Sequence, residues 1–487
     1  MFIMSKIIIG NTLCTIQDED DFHFLRQLDK ELSFKVQGAE HTYMYKTRQW
    51  DGVKRIMGRD LTFPYGLLDR VVNFYRSNNK LVELEDRRPP KSEVNTIDIL
   101  PKLKDMGKVP YPYQMDALEV VKEKDCGIIR IATGGGKSLV AALMTAHFGK
   151  KTCLYVIGKD LLHQMHGFFS EIFDQPIGVV GDGLCEIHDI NIVSVWTVGQ
   201  VFGMKKSEII SDGSDGEKNL DPTKNDEIHE MLKSAKVHIF DECHLAACDT
   251  IQNIAKNIRP EHIYGMSASP WRDDGADILI ESIFGHKIVE VPASFLIENG
   301  FLAKALIRFK KVPKVRGLPD SYPGVYKHYI TDNEVRNDLV IEAAARMVEQ
   351  GFQTLILYQR VAHGKLLFKK LKEKMPCMLL SGKDSNKKRE EVKQKLEDGE
   401  INAIVASTIF DIGVDLPSLS GLVIAGGGKS SVRALQRIGR VIRKFPGKKY
   451  AAIIDFLDQA KFLKGHSEAR YRIYASERGF DVTWPKK

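Results

Sequence analysis

Three adjoining segments constrain this chain more than anything else in it: the apolar run Gly127-Ile128-Ile129-Arg130-Ile131, the loop Ala132-Thr133-Gly134-Gly135-Gly136-Lys137-Ser138, and the apolar stretch Leu139 to Ala146. The first reads as a short buried strand and the last as a helix. Gly134, Gly135 and Gly136 let backbone N–H groups turn inward, and the helix N-terminus adds its positive dipole end, so the loop suits a polyphosphate. Lys137 then reaches the β and γ phosphates, and Ser138 is a ligand for Mg2+. The long Gly-x-x-x-x-Gly-Lys-Ser pattern is not met, because Ile131 stands at its first glycine. The shorter Pro-Thr-Gly-x-Gly-Lys-Thr form fits, with Ala132 for proline and Ser138 for threonine. A bland alternative is a glycine-rich turn with an incidental lysine.

About a hundred residues on, the strand-like run Val237-His238-Ile239-Phe240 ends in Asp241-Glu242-Cys243-His244. An aspartate at a strand terminus suits Mg2+ binding through water, and Glu242 suits polarisation of a water that attacks the γ phosphate. Taken alone, an acidic pair at a strand end is a solvated turn; after a phosphate loop it completes a hydrolytic site. His244 lacks companion metal ligands, and its expected task is to relay nucleotide state to neighbouring segments.

The chain has 487 residues, enough for about three domains of ordinary size. A hydrophobic share of 43% supports substantial cores, and a net charge of +7 is too mild to argue for nucleic acid by itself. Seven scattered cysteines without a Cys-x-x-Cys pair suggest neither a disulfide framework nor zinc, hence a reducing cytoplasm. No apolar run approaches membrane-spanning length. A polar stretch around Arg87-Arg88-Pro89-Pro90 reads as a linker, giving a small domain over 1–88, a linker over 89–104, a first α/β domain over 105–300 and a second over 301–487. In the last two, apolar runs such as 153–157, 190–195, 354–358, 403–406 and 421–425 alternate with helical stretches, the pattern of parallel sheets covered by helices. Residues 203–230 read as a polar, mobile surface insertion.

The second α/β half has no phosphate loop and is instead rich in arginine. From Lys429 to Lys449 there are eight Lys or Arg and no Asp or Glu. Arg433, Arg437, Arg440 and, a further turn on, Lys444 recur at helical spacing, which would make one face cationic. A solvated basic helix is the plain reading. Beside a phosphate loop and an Asp-Glu pair, the arginines become candidate fingers for transition-state charge.

At this point the chain resembles the superfamily 2 helicases. Tyr113-Gln114 resembles the adenine-reading glutamine motif, and Ser267-Ala268-Ser269 the motif linking hydrolysis to strand movement. Gly413-Val414-Asp415 resembles the segment touching both nucleotide and nucleic acid, and Gln436, Arg440 and Arg443 match the arginine motif. The resemblance implies two RecA-like parallel-sheet domains in tandem, closing on ATP and Mg2+, with a small N-terminal α+β domain. It implies nucleotide roles for Thr133 and Asp415 and coupling roles for His244, Ser267, Ser269 and Gly413. Lys159, Thr197 and Thr408 fall in regions that line a single-strand track in that superfamily. Trp50-Asp51-Gly52, Phe63-Pro64-Tyr65-Gly66-Leu67 and His363-Gly364-Lys365 are similar to the phage UvsW helicases, a family of branch migration, fork reversal and R-loop removal.

The small N-terminal domain is charge-asymmetric: residues 1–40 carry four Lys or Arg against seven Asp or Glu, and residues 41–80 carry eight against three. Its basic half interleaves aromatics with Lys46, Arg48, Lys54, Arg55 and Arg59, a composition for phosphates and stacked bases. Trp50, Phe63 and Tyr65 are expected to be core. The expectation is an ATP-dependent helicase or translocase on branched DNA, possible RNA–DNA hybrids included, in the cytoplasm of a host cell if phage-encoded. The alternatives are a double-strand translocase or RNA helicase that remodels complexes, and a nucleotide-sensing binding module.

Overall fold

The computed structural model describes residues 4–204, 217–268, 276–381, 384–407, 416, 418–428 and 431–485. They divide into two compact units, one of residues 1–131 and 136–290, the other of 132–135 and 291–487.

The first unit contains two sheets of different kinds. Near the N-terminus, β1 (Ser5–Ile9), β2 (Leu13–Gln17), β5 (Thr62–Pro64) and β6 (Val82–Asp86) form a sheet in the order β5-β2-β1-β6. Only the β1–β6 pairing in it is parallel. β1 alternates buried and half-buried residues, so Ile7 and Ile9 face the helices Phe22–Glu31 and Leu68–Ser77. A separate hairpin, β3 (Ser33–Lys35) with β4 (Val53–Arg55), carries a knob over residues 36–52. This is the small α+β domain read from sequence, and its core also takes in Ile278 from further along the chain.

The second sheet of this unit comprises β7 (Cys126–Ile131), β8 (Thr152–Val156), β9 (Ile177–Gly181), β10 (Leu184–Glu186), β11 (Ile190–Ser194), β12 (Val237–Asp241), β13 (His262–Ser267) and β14 (Lys287–Val291). Among the described residues its order is β10-β9-β11-β8-β12-β13-β7-β14. The strands from β9 to β7 in that order pair in parallel and are almost entirely buried, because helices cover both faces. The stretch read as a linker lies along this unit: the N–H groups of Asn95 and Ile97 donate to Phe148 and Ala146 carbonyls, and Arg88 and Lys91 pair with Asp125.

One expectation needs correction. The insertion expected over 203–230 is not surface throughout, since the helix Asn225–Ser234 buries Ile228, Met231 and Leu232 in the main core. Their i, i+3, i+4 spacing outweighs the polar composition around them. Residues 205–216 lie outside the described residues.

The second unit holds β15 (Lys304–Lys311), β16 (Thr354–Tyr358), β17 (Cys377–Leu380), β18 (Ala403–Ser407), β19 (Gly421–Ile424), β20 (Tyr450–Leu457) and β21 (Phe480–Thr483). They follow the order β17-β18-β16-β19-β20-β15-β21, every pairing parallel among the described residues. Two parallel sheets, each wrapped by helices, are the tandem RecA-like arrangement.

Candidate nucleotide site and nucleic-acid interface

In parallel sheets, ligands gather at the carboxyl ends of the strands. β12, β13 and β7 are sheet neighbours, with Asp241 opposite Met266 and Ser267 opposite Arg130. Their ends therefore bring Asp241, Ser267 and the last residue of β7, Ile131, after which the glycine loop begins, into one neighbourhood.

The loop has the backbone a phosphate cradle needs. Gly134 and Gly136 sit at φ of 88° and 76°, where a side chain is strained, and Gly136 precedes the helix Lys137–Phe148. The Gly135 N–H donates to the Ala132 carbonyl at 2.9 Å, tightening the turn. Thr133, Lys137 and Ser138 are half-buried. Gln114, 2% exposed, has its Oε1 accepting the Tyr111 N–H at 2.8 Å, and its amide nitrogen lies so near Gly136 that a Cβ there would collide with it. Tyr113 is buried beside it. The Tyr113-Gln114 segment therefore lies beside the glycine that opens the helix Lys137–Phe148.

Burial, with the neighbouring Glu242 carboxylate adding to it, pushes the Asp241 carboxyl up to about 6, against the pull of Lys137. A divalent cation would relieve that charge penalty. Ser138 and Asp241 with open glycine backbone therefore fit a Mg2+–nucleotide. Among the described residues no group of three or more His, Cys, Asp or Glu could hold a metal ion.

Glu242 adopts φ 51°, a left-handed conformation that costs a non-glycine residue about 1–3 kcal/mol. The turn it starts is locked from below: a Cβ on Gly265 would lie 2.7 Å from the Cys243 Cβ, so only glycine lets the turn pack onto β13. The strained turn places Glu242 Oε2 3.1 Å from His244 Nδ1, and Ser267 Oγ is 3.3 Å from that same nitrogen. Glu242, His244 and Ser267 form one continuous polar line, which spacing alone did not reveal. Ser269, Thr408, Gly413 and Asp415 lie outside the described residues.

In the second unit the arginine segment forms the helix Ser431–Val441. Gln436 and Arg440 are half-buried, whereas Arg437, part of the cationic face expected from spacing, is 5% exposed and turned into the unit. Arg443, also half-buried, follows the helix and bridges Leu302 through backbone. Two buried ion pairs hold the approach to this helix. Arg336 donates to Asp458 at 2.8 Å and to the Ala425 carbonyl at 2.6 Å, and Arg470 donates to Asp455 at 2.8 Å and to the Gly428 carbonyl at 2.8 Å. His363 is buried against Asn337 at 2.9 Å.

Of the candidate nucleic-acid residues, Lys159 opens the helix Lys159–Ile172, and Thr197 is fully buried with its hydroxyl donating to Glu217 at 2.9 Å. Lys46, Arg48, Lys54 and Arg59 are exposed on or near the β3–β4 knob. Arg55 is exposed as well, but it pairs with Asp51 at 2.5 Å and Asp29 at 3.2 Å. Phe63 is core as expected. Trp50 is half-buried, its indole N–H donating to the Val53 carbonyl at 2.9 Å, and Tyr65 is half-buried under the Arg88 guanidinium. The most exposed aromatic of the knob is Tyr43, at 75%. Glu217, the partner of Thr197, sits in a polar stretch whose sequence carries no pattern.

Three family descriptions match segments of the chain. Residues 12–85 match the family described as DNA helicase UvsW, N-terminal; residues 107–272 match Type III restriction enzyme, res subunit; residues 336–445 match the helicase conserved C-terminal domain. The chain is 26% identical over 468 residues to the ATP-dependent DNA helicase uvsW of Enterobacteria phage T4, covering 91% of this chain and 88% of that protein. It is 25% identical over 393 residues to the DNA 3'-5' translocase XPB2 of Sulfurisphaera tokodaii, covering 72% and 83%. Among solved structures, S. cerevisiae Dbp5 bound to RNA and ADP BeF3 superposes with a TM-score of 0.54 at 14% identity, over 79% of this chain and 92% of that one. The DUF1998 helicase MrfA bound to DNA gives 0.55 at 16%, over 80% and 52%. The helicase family matches, the uvsW relative and the two RecA-like sheets make the chain an ATP-hydrolysing enzyme, a helicase or translocase of superfamily 2. Within that superfamily the chain resembles the phage UvsW-type helicases.

Proposed function

We propose that this enzyme acts on DNA, and on branched DNA in particular: junctions undergoing branch migration, reversing forks and R-loops. The observation that carries the reading is the N-terminal domain, which matches the UvsW type and whose basic knob belongs to the same compact unit as the phosphate loop's helix and Asp241. The names of the uvsW and XPB2 relatives support DNA as substrate. Among the described residues no helix is long and apolar enough to cross a membrane. We place the enzyme in a reducing cytoplasm, where its cysteines remain thiols.

In this reading Lys137 and the loop N–H groups hold the β and γ phosphates, and Gln114 with Tyr113 reads the adenine. Ser138 and Asp241 hold Mg2+, which when bound neutralises phosphate charge. Glu242 orients the attacking water and takes its proton. Gln436, Arg440 and Arg443 supply positive charge to the transition state when ATP draws the second unit in. His244 and Ser267 pass the loss of the γ phosphate on to the strand track, to which Lys159, Thr197 and Thr408 are assigned; Gly413 and Ser269 take part in that coupling, and Asp415 contacts the nucleotide. Lys46, Arg48, Lys54, Arg55 and Arg59 hold phosphates of the branch, with RNA–DNA hybrids within reach because phosphate contacts do not read sequence.

The test compares ATPase stimulation and strand separation on single-stranded, forked, four-way-junction and RNA-containing substrates. Preferential action on the forked and four-way substrates is expected. Equal stimulation by unbranched DNA without any strand separation would instead identify a double-strand translocase, and action on RNA alone an RNA helicase.

A further inference from the structure

Between β9 and β10 the backbone turns through Gly181, Asp182 and Gly183, all at positive φ (149°, 51° and 81°). The turn aims the Asp182 N–H at Oε1 of Glu217, 3.3 Å away, and the Thr197 hydroxyl donates to the same oxygen at 2.9 Å. A Cβ on Gly181 would come within 3.3 Å of that oxygen and closer still to Ser194 and Leu162, so the glycine keeps the approach open. Glu217 is 8% exposed, and its second oxygen is buried without a hydrogen-bond partner. The rim is mixed in charge: His163 Nε2 lies 3.0 Å from Asp182 Oδ2, the Lys218 N–H donates to Asp182 Oδ1 at 3.1 Å, and the Lys159 charge also acts on Asp182.

Donors converging on one anion, with glycine clearing the way and two of the candidate strand residues beside it, describe a seat for a phosphate oxygen. The group seated there is the chain's own carboxylate. It is a poor occupant, because one of its two oxygens is desolvated and gains no hydrogen bond in return. We propose that the Asp182 N–H and Thr197 hydroxyl form a seat for a backbone phosphate of the tracked strand, and that Glu217 is an internal competitor which the strand displaces. The inference rests on the nucleic-acid reading above and adds to it the residue that sets strand affinity in the free enzyme.

The experiment uses the full chain, with Glu217→Ala and the isosteric Glu217→Gln, a labelled oligothymidine, fluorescence anisotropy over a range of salt, and DNA-stimulated ATPase. Both variants are expected to bind the strand several-fold more tightly and to reach half-maximal ATPase at correspondingly lower DNA, with the maximal rate unchanged. For Glu217→Ala the slope of log affinity against log salt should steepen by about one, as for one more phosphate contact. Adding Thr197→Val should cancel the gain. Unchanged or weakened strand binding in both folded variants would overturn the proposal and leave Glu217 a structural peg. Inorganic phosphate at matched ionic strength should not abolish the gain; if it does, the seat takes free anions and the strand assignment falls. Whether DNA stimulates the unaltered chain at all tests the functional reading itself, independently of the change caused by Glu217.

Discussion

Replacing Arg336 by methionine isolates what the buried ion pair contributes to the second unit. Arg336 is fully buried and Asp458 1% exposed. The guanidinium donates from Nε to Oδ1 at 2.8 Å and from Nη2 to Oδ2 at 3.4 Å, caps the Ala425 carbonyl and lies over the Phe456 ring, 5.0 Å from its centroid. Methionine fills much of the volume but leaves the Asp458 carboxylate in the core without its cation. Stranding one member of a buried pair costs about 3–5 kcal/mol. The lost bond to Ala425 adds about 1 kcal/mol. Against about 5–15 kcal/mol for a whole domain, that is a large part of the unit's stability. Hydrogen exchange of peptides from β16, β18 and β19, followed as a function of urea, reads this unit separately from the other. Arg336→Met should lower protection by about 4–6 kcal/mol, and adding Asp458→Leu should restore most of it, because replacing both partners removes the stranded charge. A loss below about 1 kcal/mol in the single variant, or no recovery in the double, would refute the view that the pair is a mutually dependent clamp.

Lys137→Ala should abolish ATP hydrolysis, while Arg440→Ala should retain nucleotide binding in a fluorescent-analogue assay and lose about 10³-fold or more in turnover, as for other arginine fingers; near-normal turnover in either would contradict the site. Reversing Lys46, Arg48 and Lys54 to glutamate should weaken four-way-junction binding in gel shifts and leave ATP binding intact. Arg55 is best left in place there, since its pairs with Asp51 and Asp29 brace the hairpin. His244→Ala should leave measurable hydrolysis but lower the base pairs opened per ATP; a parallel loss of both would reduce His244 to a support for Glu242. His238 is a pH probe of the first unit. Its Nε2 must carry the proton to donate to the Ala235 carbonyl at 3.2 Å, so Nδ1 accepts from the Tyr155 hydroxyl at 2.9 Å, and burial holds the ring's pKa down at about 4. Its folded pKa lies below the unfolded value of about 6.5, so stability is full above that value and falls as pH drops toward 4, by about 2 kcal/mol at pH 5. The destabilisation caused by His238→Asn at pH 7 should shrink by that amount at pH 5 in urea titrations.

What the residues disclosed in advance, and what they withheld, follows from the range of the interactions. The strand, glycine loop and helix around Lys137 are local, and glycine geometry with an apolar period suffices to place them. Asp241 and Glu242 were legible because a strand end is local too, yet the line through His244 to Ser267 needed β12 and β13 to be sheet neighbours. The helix Asn225–Ser234 has its period in Ile228, Met231 and Leu232, but the polar residues around them mask it in the sequence. Arg437 matched its neighbours in spacing and charge, and only packing separates its buried side chain from the half-buried Arg440. Arg336 with Asp458, and Arg70 with Glu281, join residues 122 and 211 positions apart, and no pattern along the chain points to such partners.

Arg70 and Glu281 matter because of where the helix Asp277–Phe284 lies. It follows β13, whose last residue is Ser267, the end of the polar line from Glu242. The N-terminal domain grips that helix by three means: Ile278 enters its core, Arg70 donates to the Glu281 carboxylate at 2.6 and 3.0 Å, and Gly66 approaches the helix backbone so closely that a Cβ would lie 2.7 Å from the Ser282 carbonyl. Ion pairs at the surface alone would make a weak joint. A shared apolar core and a glycine-dependent backbone approach make a stiff one, since close-packed interiors transmit displacement rather than absorb it. The domain that would hold a DNA branch in the proposed reading is therefore fixed to the helix Asp277–Phe284, so domain and helix move as one body.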